Sequence, residues 1–141
     1  MPAPPVPAMR AIRQAIVKVL RDDSQLTTLL GGANRIYHRM RKRPPEARQV
    51  TYFDFGVRPD PTVPLRDRTF QIDVWDTVPE RAANVADRIE ALLDNKPMGT
   101  VGEGAARVVY LQLVSDNDVV ADEGDLVRAI LEFRVLAYKQ G

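Results

Sequence analysis

The 141-residue chain contains no cysteine. Disulfide bonds, cysteine-ligated zinc, iron–sulfur clusters and thiol catalysis are excluded with it. A single histidine, His38, rules out any site that needs two imidazoles. An excess of one charge is also missing: 20 Lys and Arg stand against 19 Asp and Glu, for a net charge near +1. Proteins that coat DNA or RNA usually carry a large basic excess. No stretch approaches the roughly 20 apolar residues of a membrane span, so no membrane partner is expected. The first eight residues, Met1-Pro-Ala-Pro-Pro-Val-Pro-Ala8, lack the basic start and apolar run of a secretory signal. They read as a proline-stiffened arm, 1–8, ahead of a single domain, 9–141. The missing cysteine fits synthesis in a reducing cytoplasm.

Apolar residues make up 45% of the chain and charged residues 28%, ordinary values for a globular domain with a real core. Met9, Ile12, Ile16, Val19 and Leu20 recur at spacings of three and four and predict an amphipathic helix over 9–22. Ser24 is placed to cap a second short helix carrying Leu26, Leu29 and Leu30, which Gly31-Gly32 ends. Strands are predicted over 49–55 and 68–76, joined by a long connection with Pro59, Pro61 and Pro64. Thr77-Val-Pro-Glu80 has the spacing of a capping box and opens a helix whose stripe is Ala82, Val85, Ala86, Ile89, Leu92 and Leu93. Asn95 and Pro97 end that helix, and strands follow over 106–114 and 126–138. In the last strand Val127, Ala129, Leu131, Phe133, Val135 and Ala137 alternate with a mixed set that includes Arg128, Glu132 and Arg134. The order predicts an α+β two-layer sandwich: a mostly antiparallel four-stranded sheet with helices packed on one face. The other face carries Gln71, Asp73, Trp75, Arg128, Ile130, Glu132 and Arg134, a mixed surface suited to meeting another protein.

Chemistry finds little support. His38 has no nucleophile or orienting acid at a motif spacing, and reads as a surface or loop histidine. Counted from Asp116 as a calcium loop, the sixth residue is Ala121 and the twelfth is Val127, so the glycine and glutamate of that template are absent. A nuclease pattern of Asp60 and Asp73 fails because its lysine position holds Trp75. Gly99, Gly102 and Gly104 lack the lysine and hydroxyl of a phosphate loop. No catalytic residue, cofactor or metal is expected.

What stands out is charge segregation. Residues 35–48 hold Arg35, Arg39, Arg41, Lys42, Arg43 and Arg48 against one acid, Glu46. Residues 115–125 hold Asp116, Asp118, Asp122, Glu123 and Asp125 and no cation, and read as an acidic turn. If the two lie on opposite sides of the domain, copies join head to tail, and such contacts make rings when they close. Arg39, Arg41, Lys42, Arg43, Asp116, Asp118, Asp122, Glu123 and Asp125 are therefore the candidate interface residues. The basic segment alone would also suit a nucleic-acid-binding module.

The layout resembles the tail-completion, or tail terminator, proteins of long-tailed bacteriophages and related prophages. The matching features are Gln25-Leu-Thr-Thr-Leu-Leu-Gly-Gly32, Arg35-Ile-Tyr-His38, Val50-Thr-Tyr-Phe-Asp-Phe-Gly56, Phe70-Gln-Ile-Asp-Val-Trp-Asp76 running into Pro79-Glu-Arg-Ala82, and a long final strand ending near Tyr138. The resemblance covers about 9–138 and has no catalytic residues to carry over. It implies a ring of identical copies, commonly a hexamer. Such a ring caps the growing tail tube, ends its polymerisation and meets the head–tail connector or stopper. It further implies a virion protein of the tail–neck region, made in the bacterial host cytoplasm, through whose ring DNA passes without sequence-specific binding. Another head–tail joining or neck protein of similar size is the neighbouring reading. The proline-rich arm and the 56–67 loop match no part of the family pattern.

Overall fold

A computed structural model describes residues 8–38, 48–55, 65–101, 106–120 and 126–139. Helix α1 spans Ala8–Asp22 and buries Ala11, Ile12, Ile16, Val17 and Leu20, with Val19 half-buried. Its stripe is thus turned slightly from the predicted one, taking in Ala11 and Val17. Helix α2, Ser24–Leu30, is capped by Asp23, not Ser24: the Asp23 carboxylate accepts the Leu26 N–H at 2.8 Å. Gly31 closes it in the left-handed region, at φ 84°, where a side chain would be strained. Gly32 N–H then donates back to the Thr27 carbonyl at 2.9 Å.

Six strands form one sheet, two more than predicted. They are β1 Ile36–His38, β2 Gln49–Phe55, β3 Leu65–Asp76, β4 Gly99–Val101, β5 Ala106–Val120 and β6 Val127–Lys139, in the order β1-β2-β3-β6-β5-β4. All pairs are antiparallel except β1 with β2, which run parallel. The two extra strands have three residues each, too few to display a period of two. Both lie at sheet margins. β3 begins at Leu65, inside the predicted 56–67 connection, whose remainder lies outside the described residues. β5 continues to Val120, so the first part of the predicted acidic turn is strand.

Helix α3, Pro79–Leu93, buries Ala82, Val85, Ile89 and Leu93 and packs on β3 and β6. Thr77 does not cap it. Val78 occupies the N-cap position, and Asp76 accepts the Val78 N–H at 3.0 Å. A carboxylate two residues before that N–H closes a tighter turn than the predicted box. Asn95, at φ 57°, carries the chain away from α3. Its N–H donates to the Leu111 carbonyl, and Asp94 accepts the Leu113 N–H, both at 2.8 Å. The core lies between the helices and one sheet face. Its rows cross the strands as Val50, Val74 and Ala129, then Tyr52, Ile72 and Leu131, then Phe70 and Phe133. No described helix is long and apolar enough to cross a membrane.

Candidate interaction surfaces

Two bidentate ion pairs fix the helical layer. Arg88 of α3 donates to both oxygens of Asp23 at 2.9 and 2.7 Å. Asp23 therefore caps α2 and ties it to α3. Hydrogen bonding from Arg88 holds its carboxyl below the usual range, against a smaller opposing effect of burial. At the start of α3, Arg81 donates to both oxygens of Asp76, at 2.6 and 2.7 Å. Burial is the largest single influence on Asp76 and pushes its pKa up. The hydrogen bonds from Arg81 and the backbone together outweigh it and leave the pKa lowered. The Asp76 side chain is 2% exposed, so its charge is sustained by these donors rather than by water.

The sheet face away from the core is mixed, as predicted, with Trp75, Arg128, Ile130 and Glu132 half-buried and Arg134 exposed, but part of it is closed to solvent. Gln71 and Asp73 are 6% and 2% exposed, and Thr51 on the adjacent strand is buried as well. Polar bonding makes this burial tolerable. Gln71 donates to Asp73 Oδ1 at 2.8 Å. Arg128 Nη2 and Nε donate to Asp73 Oδ2 at 2.6 and 3.1 Å. The same guanidinium lies over the Trp75 ring, 5.0 Å from its centroid, and the Trp75 indole donates to Thr51 Oγ1 at 3.0 Å. Trp75, half-buried, is thus clamped from two directions. The register explains the assembly: Thr51 sits opposite Asp73, and Trp75 opposite Arg128. Sequence alternation puts Gln71, Asp73, Trp75 and Arg128 on one face; only the strand order shows which of them touch and that Thr51 joins them.

Of the candidate interface residues, Arg39, Arg41, Lys42, Arg43, Asp122, Glu123 and Asp125 lie outside the described residues. Asp116 and Asp118 lie on β5 instead of in a turn. A register shift between Leu113 and Ser115 sets Asp116 opposite Leu131, on the helix-facing side. There exposed Asp116 borders a shallow cavity of about 190 Å³ with Asp87, Ala83, Ala86 and Ala129. His38, exposed on β1, stacks on Tyr52 at 5.1 Å, and Tyr52 in turn stacks on Phe70 at 6.0 Å. Of the basic segment, Arg35 and Arg48 are described, and Arg35 donates to the Arg48 carbonyl at 3.4 Å beside β1. Asp116 and Asp118 stand on β5, across the sheet. Among the described residues, no three His, Asp or Glu side chains are grouped to hold a metal ion.

A family model for tail completion protein gp17 matches residues 14–138. Among solved structures, a chain from the virion of a native gene transfer agent particle matches with a TM-score of 0.78 at 20% identity, over 93% of this chain and 97% of that one. A second solved chain matches with a TM-score of 0.57 at 22% identity, over 90% and 94%. At these identities the likeness is one of fold. No curated protein matches the sequence. Fold and family model together define a structural protein of phage tails. The chain belongs to the family of tail completion protein gp17.

Proposed function

We propose that this protein forms a ring that caps the tail tube, ends its polymerisation and joins the tail to the head connector. The observation carrying this reading is the family match, which runs from α1 to the end of the last strand, residues 14–138. The protein then works by shape and by matched surfaces. Sixfold closure, passage of DNA through the ring without sequence-specific contact, and a tail–neck position in the virion belong to the same proposal. So does the pairing of Arg39, Arg41, Lys42 and Arg43 with the acidic set Asp116, Asp118, Asp122, Glu123 and Asp125 between copies. Arg35 and Arg48, which flank the basic set in sequence, lie on the β1 side of the sheet, and Asp116 and Asp118 lie on β5 across it; that separation supports the pairing. Head-to-tail contacts need two different surfaces on each copy, and a ring follows when the rotation closes.

Electron microscopy of particles made without this protein tests the reading. Overlong tubes are expected from the loss of a terminator. Tails of normal length that fail to attach would transfer the protein to a joining role, and intact particles would end the proposal. Charge reversal tests the interface: reversing one set alone should lower the assembly size, and mixing the two reversed variants should restore it. An assembly size unchanged by every single reversal would count against the pairing.

A further inference from the structure

The two margins of the sheet fit each other. On one side, among the described residues, β1 covers β2 only at Val50–Tyr52, which leaves a step of one strand width there, about 4.8 Å, beside Phe53 and Asp54. On the other side β4 covers β5 at Ala106–Val108, and the Asp94-Asn95 turn bonds to Leu111 and Leu113. Among the described residues no strand lies beyond Asp116–Val120. Each margin therefore has one advanced half and one recessed half.

The register shows that these halves are level. Ile36, Val50, Val74, Ala129 and Asp118 form one row across the sheet. Tyr37, Thr51, Asp73, Ile130 and Asn117 form the next, and His38, Tyr52, Ile72, Leu131 and Asp116 the third. The advanced strand β1 thus stands at the height of the recessed part of β5. Two rows lower, Leu113, Phe133, Phe70 and Asp54 align, so the covered part of β5 stands at the height of the recessed part of β2. Direction agrees as well. β1 runs parallel to β2, and three antiparallel pairings follow before β5, so β1 and β5 run in opposite senses.

We infer that β1 of one copy adds to the Asp116–Val120 edge of β5 of a second copy, as an antiparallel strand with Tyr37 opposite Asn117. The inference rests on the head-to-tail reading above and specifies its contact. A neighbour set beside the sheet in the same orientation brings the two margins together without a shift along the strands. The helix-facing and outer faces then continue from copy to copy. Charge favours the match, since Arg35 lies on the advancing margin and exposed Asp116 on the receiving one. Val114, 52% exposed at the step, gains cover. An open strand edge invites strand addition, and here another part of the same chain has the shape to occupy it.

Absence of cysteine makes the test clean. Single variants Y37C and N117C of the full chain are mixed and oxidised, at concentrations where sizing shows the protein assembled. Directly opposed antiparallel residues lie about 4.5–5.5 Å apart at Cα, within disulfide range. A cross-linked dimer is expected from the mixture and from neither variant alone. The pair H38C and D116C, both exposed positions in the adjacent row, guards against a misfolded variant. Adjacent rows alternate between hydrogen-bonded and non-hydrogen-bonded pairs, so one of them has the geometry that links readily. Assembly without either cross-link would overturn the strand pairing and leave the ring reading intact. A protein that stays monomeric at all concentrations would overturn the pairing as a contact this chain makes on its own. The ring reading itself is judged separately, by the length of tails made without the protein.

Discussion

On the helix side of the sheet, Phe70, Ile72, Leu131 and Phe133 share one apolar core with the helices, α3 packing on their strands; on the far side, Gln71, Asp73 and Thr51 are nearly as well buried with no described helix above them. The first set is dry because helices cover it. The second is held in a bonded net that joins three strands. An apolar layer fixes that the sheet and helices collapse together, but it tolerates some repacking. A satisfied polar net tolerates little, because each donor has a particular acceptor and a displaced strand would orphan several at once. The comparison teaches that strand register is enforced from the far side, whereas most of the stability comes from the helix side. An assembly subunit needs both, since its margins match only when the rows stay aligned.

Truncating the helix side gives the largest expected effect. Phe133→Ala removes a fully buried ring from the middle strand of the core row and should cost about 3–5 kcal/mol. Urea unfolding measures it, and a loss no greater than that of a surface substitution would break the comparison. Asp73→Ala comes next. It takes the acceptor from both Gln71 and Arg128, and about 2 kcal/mol is expected, as for a buried hydrogen-bonding group left without its partner. Arg128 retains some access to water, which keeps the penalty below that of a fully buried charge. A double variant, Asp73→Ala with Arg128→Met, should recover part of the loss, because no orphaned charge remains.

The ion pair at the start of α3 sharpens the comparison through pH. Asp76 has a folded pKa below its ordinary 3.8. Its contribution to stability is therefore complete above the unfolded value and is lost as pH falls through the folded one. Asp23 has the same sign. Acid unfolding should steepen below about pH 4. In Arg81→Met the burial of Asp76 acts without its main counterweight, so its carboxyl titrates higher and the acid limb moves to higher pH. The neutral-pH loss should be on the order of 1 kcal/mol. Unchanged acid unfolding in this variant would remove Asp76 from the account.

Much of this architecture was legible in the residues, and the gaps have physical reasons. The α1 and α3 stripes and the alternation of β6 are long enough for periodicity to speak. The three-residue β1 and β4 are not, and their pairing depends on neighbours far away in sequence. Asp116 and Asp118 suggested a turn because strands seldom carry two closely spaced carboxylates, yet β6 supplies a full-length partner that holds them extended. The polar net is hidden in the sequence for a different reason. Asp73 and Trp75 are two residues apart on one strand, but Arg128 and Thr51 come from β6 and β2, and only the sheet order brings them to those side chains. The level match of the two margins is hidden in the same way, since it exists only once five strands are in register.

Trp75 offers the smallest effect and the finest discrimination. It is the only tryptophan in the chain, so its emission reports the far face alone. Thr51→Val removes the indole's acceptor at nearly constant volume, and at most about 1 kcal/mol should be lost. If the net fixes the ring, the variant's emission should shift and its anisotropy fall, while the circular dichroism stays the same. The same signal separates two ways of assembling. Joining through β1 and β5 leaves the far face open, so collisional quenching of Trp75 should match in monomer and assembly. Joining through the far face would bury the indole and its Arg128 cover, and quenching would drop several-fold. Aromatic and arginine side chains held in place are what protein contacts tend to use, so protection on adding tail tube, after none on self-assembly, would assign the edge to the neighbouring copy and the face to the tube.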